Sequence, residues 1–153
     1  MAGFGDHKTS KKKLKKNLID DNLKEQIINK AFKSHSDGNI AEAAKYYQSF
    51  INQGFADVKV FSNYGVILQG LGKLKEAELS VRKALELNPN YAFAHSNLGG
   101  ILKDLGKLKE AELYIRKALE LNPNFASAYF SLSTLKYTDG SNLWINKLFS
   151  TNF

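Results

Sequence analysis

One block of sequence occurs twice, and its spacing constrains the fold more than any other feature of the chain. The letters GKLKEAEL begin at Gly72 and again at Gly106, 34 residues later. The two copies stay in register through RKALELNPN, which ends at Asn90 and at Asn124. A repeat of this length predicts helical hairpins that cannot bury their apolar faces alone, so at least about three must stack to form a core. Function should therefore be sought on the surface of that stack.

The rest of the sequence fits the frame that Pro89 and Pro123 define. That frame gives units 24–57, 58–91 and 92–125 and a partial unit from 126, so the repeat array spans 21–139. Glycine recurs where a hairpin turns and alanine where its helices approach closely, at Gly38, Gly72, Gly106 and Gly140 and at Ala43, Ala77 and Ala111. The apolar spacing is helical. It predicts helices near 22–36, 39–53, 57–70, 73–87, 91–104, 107–120 and 126–138.

The start of the chain carries most of its positive charge. The net charge is +7, and residues 1–16 hold six lysines against one aspartate. We predict that residues 1–20 form a disordered basic tail. A phosphate-binding arm is the alternative, but this segment has no arginine and Phe4 is its one aromatic residue, so we expect no specific nucleic-acid partner.

Three features of the sequence indicate the cellular location of the protein. No apolar run approaches the roughly 20 residues of a membrane-spanning helix, and residues 1–7 lack the apolar core of a secretory signal. The chain has no cysteine, which fits a reducing compartment. We therefore expect a cytoplasmic protein without a transmembrane segment.

Residues with the chemistry of catalysis or metal binding are scattered. His7, His35 and His95 lie far apart, without a clustered carboxylate or a cysteine. Gly99 and Gly100 fall inside a predicted helix and match its packing pattern, so they do not indicate a phosphate-binding loop. We predict no catalytic residue, no metal site and no cofactor.

A family resemblance rests on the repeated small residues and the final proline of each unit. Gly65, Gly72, Ala77, Ala84 and Pro89 recur as Gly99, Gly106, Ala111, Ala118 and Pro123. This pattern resembles the tetratricopeptide repeat, including its cyanobacterial members. The resemblance implies an all-α fold, a right-handed superhelical solenoid whose first helices line a concave groove. Unit 24–57 departs from the pattern at Lys30, Ser34, Phe50 and Phe55.

The predicted groove carries an asparagine at one position of each first helix, at Asn29, Asn63 and Asn97. Helix interiors do not favour asparagine, so this ladder calls for a reason. Similar asparagines grip a peptide backbone in the tetratricopeptide array of O-linked N-acetylglucosamine transferases, and an amide both donates and accepts hydrogen bonds. The alternative is that the asparagines were duplicated with the repeat and face water or a local carbonyl. The full set of candidate groove residues is Asn29, Phe32, Lys59, Asn63, Gln69, Phe93, Asn97, Lys103 and Phe130.

The kind of partner follows from this lining. It is polar, nearly neutral and punctuated by aromatic residues, and Asn97 stands where chaperone-cofactor members of the family place an arginine. An acidic C-terminus is therefore not the expected ligand. We predict a non-enzymatic scaffold that binds a peptide or helical segment of another protein.

The end of the chain leaves two alternatives open. Residues 140–153 are a divergent capping helix or a truncated repeat, and the apolar stretch from Leu143 to Phe149 predicts self-association. The stretch from Leu132 to Ser150 also resembles the junction at which cyanobacterial tetratricopeptide proteins continue into a sulfotransferase domain. The alternative function is thus the substrate-targeting region of a truncated or split transferase, either a sulfotransferase or a glycosyltransferase.

Overall fold

A computed structural model describes the backbone of residues 6–135 and the side chains of residues 20–135. Within that range the chain forms helices and no strand, so the all-α solenoid class predicted from the repeats is confirmed. The elements are α1 (Asp6–Ser36), α2 (Ile40–Asn52), α3 (Val58–Gly70), α4 (Leu74–Leu87), α5 (Ala92–Asp104), α6 (Leu108–Leu121) and α7 (Ala126–Ser133).

Glycine in the left-handed conformation turns the chain within each described hairpin. The φ angles of Gly38, Gly72 and Gly106 are 77°, 75° and 76°, values that side-chain-bearing residues rarely adopt. After α3 the amide of Gly72 donates to the carbonyl oxygen of Gln69 at 2.9 Å, and Lys73 donates to Leu68 at 2.9 Å. These bonds satisfy carbonyl groups left over at the helix end. Gly140, which shares the phase, lies outside the described residues.

Asparagine and proline separate one hairpin from the next, as predicted. Helices α4 and α6 end at Leu87 and Leu121, and the following Asn88 and Asn122 have extended backbone angles. The side-chain oxygen of Asn88 accepts from the amide of Asn90 at 3.0 Å, which stabilises the turn. The helical conformation is disfavoured for a residue that precedes proline, so each second helix ends before the asparagine.

The chain divides into two compact units, residues 1–56 and 57–153. In the first, α1 packs on α2 around Ala31, Ala43 and the fully buried Tyr47 and Phe50. The departures from the repeat pattern are accommodated locally. Phe50 packs on Phe55 with ring centroids 5.4 Å apart, and the buried Ser34 donates to the carboxylate of Glu42 at 3.3 Å.

In the second unit, glycine lets the paired helices approach closely. A Cβ on Gly65 would overlap Cγ2 of Val81, and a Cβ on Gly99 would overlap Cγ1 of Ile115. Both partners are fully buried, and they belong to a continuous core formed by α3 to α7. A side chain at Gly65 or Gly99 would therefore force the paired helices apart.

An ionic cluster joins α4 to α6 on the second helices. The Arg82 guanidinium donates to Glu78 at 2.8 Å, to Glu110 at 2.6 Å and to the Tyr114 hydroxyl at 2.9 Å. Lys107 also donates to Glu78, at 2.9 Å. Burial raises the pKa of Glu78, but hydrogen bonds from Lys107 and Arg82 outweigh burial, so its pKa lies below the ordinary value.

Two predicted helix ends are corrected. Helix α1 begins at Asp6 instead of near residue 22, so its backbone runs through most of the segment predicted to be a disordered tail. No glycine or proline interrupts residues 6–37, and the lysine and leucine residues of this segment favour helix. The prediction of disorder took account of their charge and not of this preference. Helix α7 ends at Ser133 instead of near 138. The hydroxyls of Ser133 and Thr134 donate to the carbonyls of Phe130 and Ser131 at this helix end, where such bonds offer an alternative to further helical backbone bonds.

The predictions for residues 140–153, namely a capping helix, a truncated repeat or a self-association surface, lie outside the described residues.

Candidate functional site

The predicted site residues of the second unit lie on its first helices. These helices follow one another in contact, α3 with α5 and α5 with α7. Position by position along the repeat, they place side chains at matching points of neighbouring helices. Helix α3 carries Lys59, Asn63 and Gln69, α5 carries Phe93, Asn97 and Lys103, and α7 carries Phe130. We call the surface formed by these residues the first-helix face.

Three of the predicted residues form hydrogen bonds between neighbouring first helices. Asn97 donates from Nδ2 to Oγ of Ser62 on α3 at 2.9 Å. Gln69 donates from Nε2 to Oδ2 of Asp104 on α5 at 2.6 Å. The Lys103 ammonium donates to Oγ1 of Thr134 at 3.2 Å. Polar side chains of the face thus hold one another in place, which reduces the entropy a ligand must remove on binding.

The three asparagines of the ladder differ in exposure and in hydrogen bonding. Asn29 is exposed on α1, while Asn63 and Asn97 are half-buried. Because the Asn97 amide bonds to Ser62, it neither faces only water nor caps a carbonyl of its own helix. Its side-chain oxygen is the acceptor half of the amide and takes no part in that bond.

Aromatic rings give the face exposed apolar area. Phe93 is 51% exposed, and Phe130 is 70% exposed. The Phe93 ring lies 4.8 Å from that of Phe125 in a T-shaped arrangement and 5.7 Å from that of Tyr91. Burial, and to a smaller extent the Asp57 carboxylate, raises the pKa of Tyr91, so its hydroxyl stays neutral at physiological pH. The start of α5 therefore presents a neutral aromatic cluster.

The two lysines bring positive charge to the same face. Lys59 is exposed in the first turn of α3, where Asp57 caps the helix by accepting from the amides of Lys59 and Val60 at 2.8 and 3.0 Å. Within the described residues neither Lys59 nor Lys103 forms a salt bridge. Both charges are thus available to a ligand.

One glycine of α5 has no packing partner on a second helix. Gly99 and Gly100 were both assigned to helix packing, but only Gly99 meets the second helix. A Cβ on Gly100 would touch nothing closer than Nε2 of Gln69 at 3.7 Å, an ordinary contact distance. The assignment of Gly100 to packing is therefore wrong, and the residue leaves a gap in the half-buried surface beside Gln69.

The first unit holds the remaining two predicted residues, Asn29 and Phe32. Phe32 is half-buried and packs edge-on against Tyr47 with ring centroids 6.1 Å apart. The Tyr47 hydroxyl lies 3.1 Å from Nδ1 of His35, so this histidine is held by a structural neighbour. Asn29 and Phe32 are thus one turn of helix α1 apart, the first open to solvent and the second tied into its hairpin.

The other described histidine also has a structural role. His95 is buried, donates from Nε2 to the carbonyl oxygen of Pro89 at 2.7 Å and stacks on Tyr114. Among the described residues, no three histidine, cysteine or carboxylate side chains come together as metal ligands. None of the described helices combines the length and the apolar character needed to cross a bilayer.

Comparison with known proteins identifies the repeats. Models of the tetratricopeptide repeat match residues 58–91 and 92–125. No curated protein sequence matches the chain at a significant level. The solved tetratricopeptide domain of Arabidopsis OM64 superposes with a TM-score of 0.70 at 22% identity, covering 75% of this chain and 95% of that one.

Two further structures share the fold. The first tetratricopeptide domain of Spaghetti (RPAP3), bound to the HSP90 peptide SRMEEVD, has a TM-score of 0.68 and 27% identity and covers 73% of this chain and 89% of that chain. A Thermobaculum terrenum O-GlcNAc transferase mutant has a TM-score of 0.69 and 21% identity, covering 74% of this chain but 22% of the transferase. At that identity the likeness to the transferase shows the fold alone. Residues 58–125 are therefore two consecutive tetratricopeptide repeats.

Proposed function

We propose that this protein is a non-enzymatic scaffold that binds an extended peptide or a helical segment of another protein on the first-helix face. The observation that carries the proposal is the pre-arranged combination of exposed aromatic rings with amide groups held by their neighbours. Phe93 and Phe130 offer apolar area, and Asn97 is fixed by its bond to Ser62. Large apolar side chains exposed among polar groups are typical of interaction surfaces.

The amides give this surface a means of holding a main chain. Asn63 and Asn97 occupy the same position in successive repeats. An amide can donate to a peptide carbonyl and accept from a peptide N–H, so it binds a backbone whatever the side chains are. Asn29 and Phe32 of the first unit stay predicted contacts of the same kind.

A peptide-bound relative supports a protein partner but not the same peptide. The Spaghetti domain is bound to an HSP90 peptide that ends in EVD. A ligand of that type needs arginine and lysine groups that converge on carboxylates. Because Asn97 replaces the arginine expected at its position, we propose a partner segment that is gripped along its length and not by its terminal carboxylate.

Replacement of Asn63 and Asn97 by alanine tests the proposal. The probe is a 12-residue peptide selected from a random phage-displayed library on the full chain and then synthesised with a fluorescent label. Loss of both amides should weaken its binding by about tenfold, since each hydrogen bond contributes about 0.5–1.5 kcal/mol. Fluorescence anisotropy would measure the affinity, and circular dichroism would show that helicity is retained.

The Ser62→Ala variant is the matched control. It removes the same Asn97–Ser62 bond but leaves both amides on the face. Its affinity should fall by no more than about threefold, because it loosens Asn97 but removes no group that contacts the peptide. Equal affinity of the double variant and wild type, or a library that yields no binder, would contradict the proposed function. The cytoplasmic location and the absence of catalysis stay predictions.

A further inference from the structure

Gly100 is a glycine inside a helix for which the described fold gives no internal reason. Glycine is less favourable than alanine within a helix because it has more backbone freedom to lose. At the neighbouring Gly99 this cost is offset, because the missing side chain lets the helix contact Ile115. A Cβ added to Gly99 would lie 3.1 Å from the carbonyl oxygen of Ala111. Gly100 allows no comparable contact.

Backbone conformation does not explain Gly100 either. The described glycines with positive φ are Gly38, Gly54, Gly72 and Gly106, so Gly100 has an angle that any residue can adopt. The repeats on either side carry β-branched residues at the same position, Val66 on α3 and Thr134 directly after α7. Val66 is 37% exposed, and Thr134 is half-buried. Gly100 therefore lacks a side chain where both flanking repeats have one.

Glycine without an internal role is expected where a ligand approaches the backbone closely. We propose that Gly100 is the floor of a subsite that receives a bulky apolar side chain of an extended peptide. This inference rests on the proposed function and names the residue that selects the ligand. Val66, Phe93 and Phe130 supply exposed apolar surface on the same set of helices.

The charge of the face defines the rest of the peptide. Lys59 and Lys103 form no salt bridge within the described residues, whereas the nearby Asp104 accepts from Gln69 at 2.6 Å. Lys103 lies one turn after Gly100 on α5, so an acidic group on that side of the apolar side chain would find a cation. The occupant is therefore an acidic peptide segment with one large apolar anchor.

Filling the gap in two steps tests the subsite. Gly100→Ala should raise the melting temperature of the full chain by about 2–4 °C, because the helix is favoured and the added Cβ meets only an ordinary contact. The same variant should weaken binding of the library-selected peptide by about tenfold, and Gly100→Val, which copies Val66, should weaken it further. The control is Leu113→Ala, which changes an exposed apolar residue on the second helix α6 and should leave affinity unchanged.

The outcomes separate this inference from the proposed function. Weaker binding by a variant that melts at or above the wild-type temperature supports the subsite. If both Gly100 variants bind the peptide as wild type does while the Asn63/Asn97 double variant does not, the subsite is wrong and the proposed function stands. If the double variant also binds normally, both are wrong. Selected peptides without a shared large apolar residue would likewise overturn the inference.

Discussion

The two kinds of helix in the matched repeats have diverged to very different extents. The second helices α4 and α6 are identical except at the pairs Ser80/Tyr114 and Val81/Ile115. The first helices α3 and α5 agree at matched serine, asparagine, glycine, isoleucine and leucine positions and differ elsewhere. The second helices thus hold a common framework, and the first helices carry what distinguishes one repeat from the next.

The positions that the first helices share have structural roles. Ile67, Leu68, Ile101 and Leu102 are buried, and Gly65 and Gly99 admit the second helix. Even the shared serine and asparagine meet, since Asn97 donates to Ser62. Positions that differ include Lys59/Phe93, Val66/Gly100 and Gln69/Lys103, which belong to the first-helix face. Part of the difference between the repeats therefore lies on the proposed binding surface, which also includes the shared Asn63 and Asn97, and part lies in the core, as at Val60/Ala94.

The sharpest way to break this comparison is to alter a shared glycine. Gly99→Ala places a Cβ against Ile115 and 3.1 Å from the Ala111 carbonyl oxygen, both in the core. Overpacking of this kind should lower the free energy of unfolding by about 1–3 kcal/mol, measured by urea denaturation. The adjacent Gly100→Ala is the control with the opposite expected sign. If Gly99→Ala is as stable as wild type, packing does not explain why this position is shared.

A smaller effect should follow from loss of the ionic cluster on the second helices. Arg82→Met keeps the apolar stem but removes the bonds to Glu78, Glu110 and Tyr114, and should cost about 1–2 kcal/mol of unfolding free energy.

Arg116, at the same position of α6, is the comparison for Arg82. It pairs with Glu112 in its own helix at 2.6 Å, and Arg116→Met should cost about 0.5 kcal/mol. Urea denaturation of both variants, at low and at high salt, would measure the difference. Equal losses for the two variants would show that the bonds between α4 and α6 add nothing to the framework.

The repeat predicted most of the helices accurately. The predicted 57–70, 73–87, 91–104 and 107–120 agree with α3, α4, α5 and α6 to within one residue at each end. Glycine and proline punctuate each unit and fix these ends physically. The start of α1 lies outside the repeat frame: the glycine before it is Gly5, and no glycine or proline interrupts residues 6–37. Helix α7 ends earlier than the repeat predicts, beside hydroxyl bonds that the repeat does not encode.

The candidate site was predictable in position but not in detail. The periodicity placed Asn63, Asn97 and Gln69 on first helices, where the structure has them. The bonds Asn97–Ser62 and Gln69–Asp104 join residues on different helices, so they depend on helix spacing and side-chain rotamers that a sequence pattern does not contain. The sequence also could not distinguish Gly99 from Gly100, because the two differ only in the side chains and backbone that surround them in the fold.

The central claim is that recognition belongs to the first helices, and a nuclear magnetic resonance titration tests it most directly. The ¹⁵N-labelled full chain would be titrated with the library-selected peptide, and amide shift changes would be assigned along the sequence. The account predicts the largest changes in α3, α5 and α7, including the amides of Asn63, Asn97 and Gly100. Changes concentrated in α4 and α6, with these three amides unmoved, would contradict it.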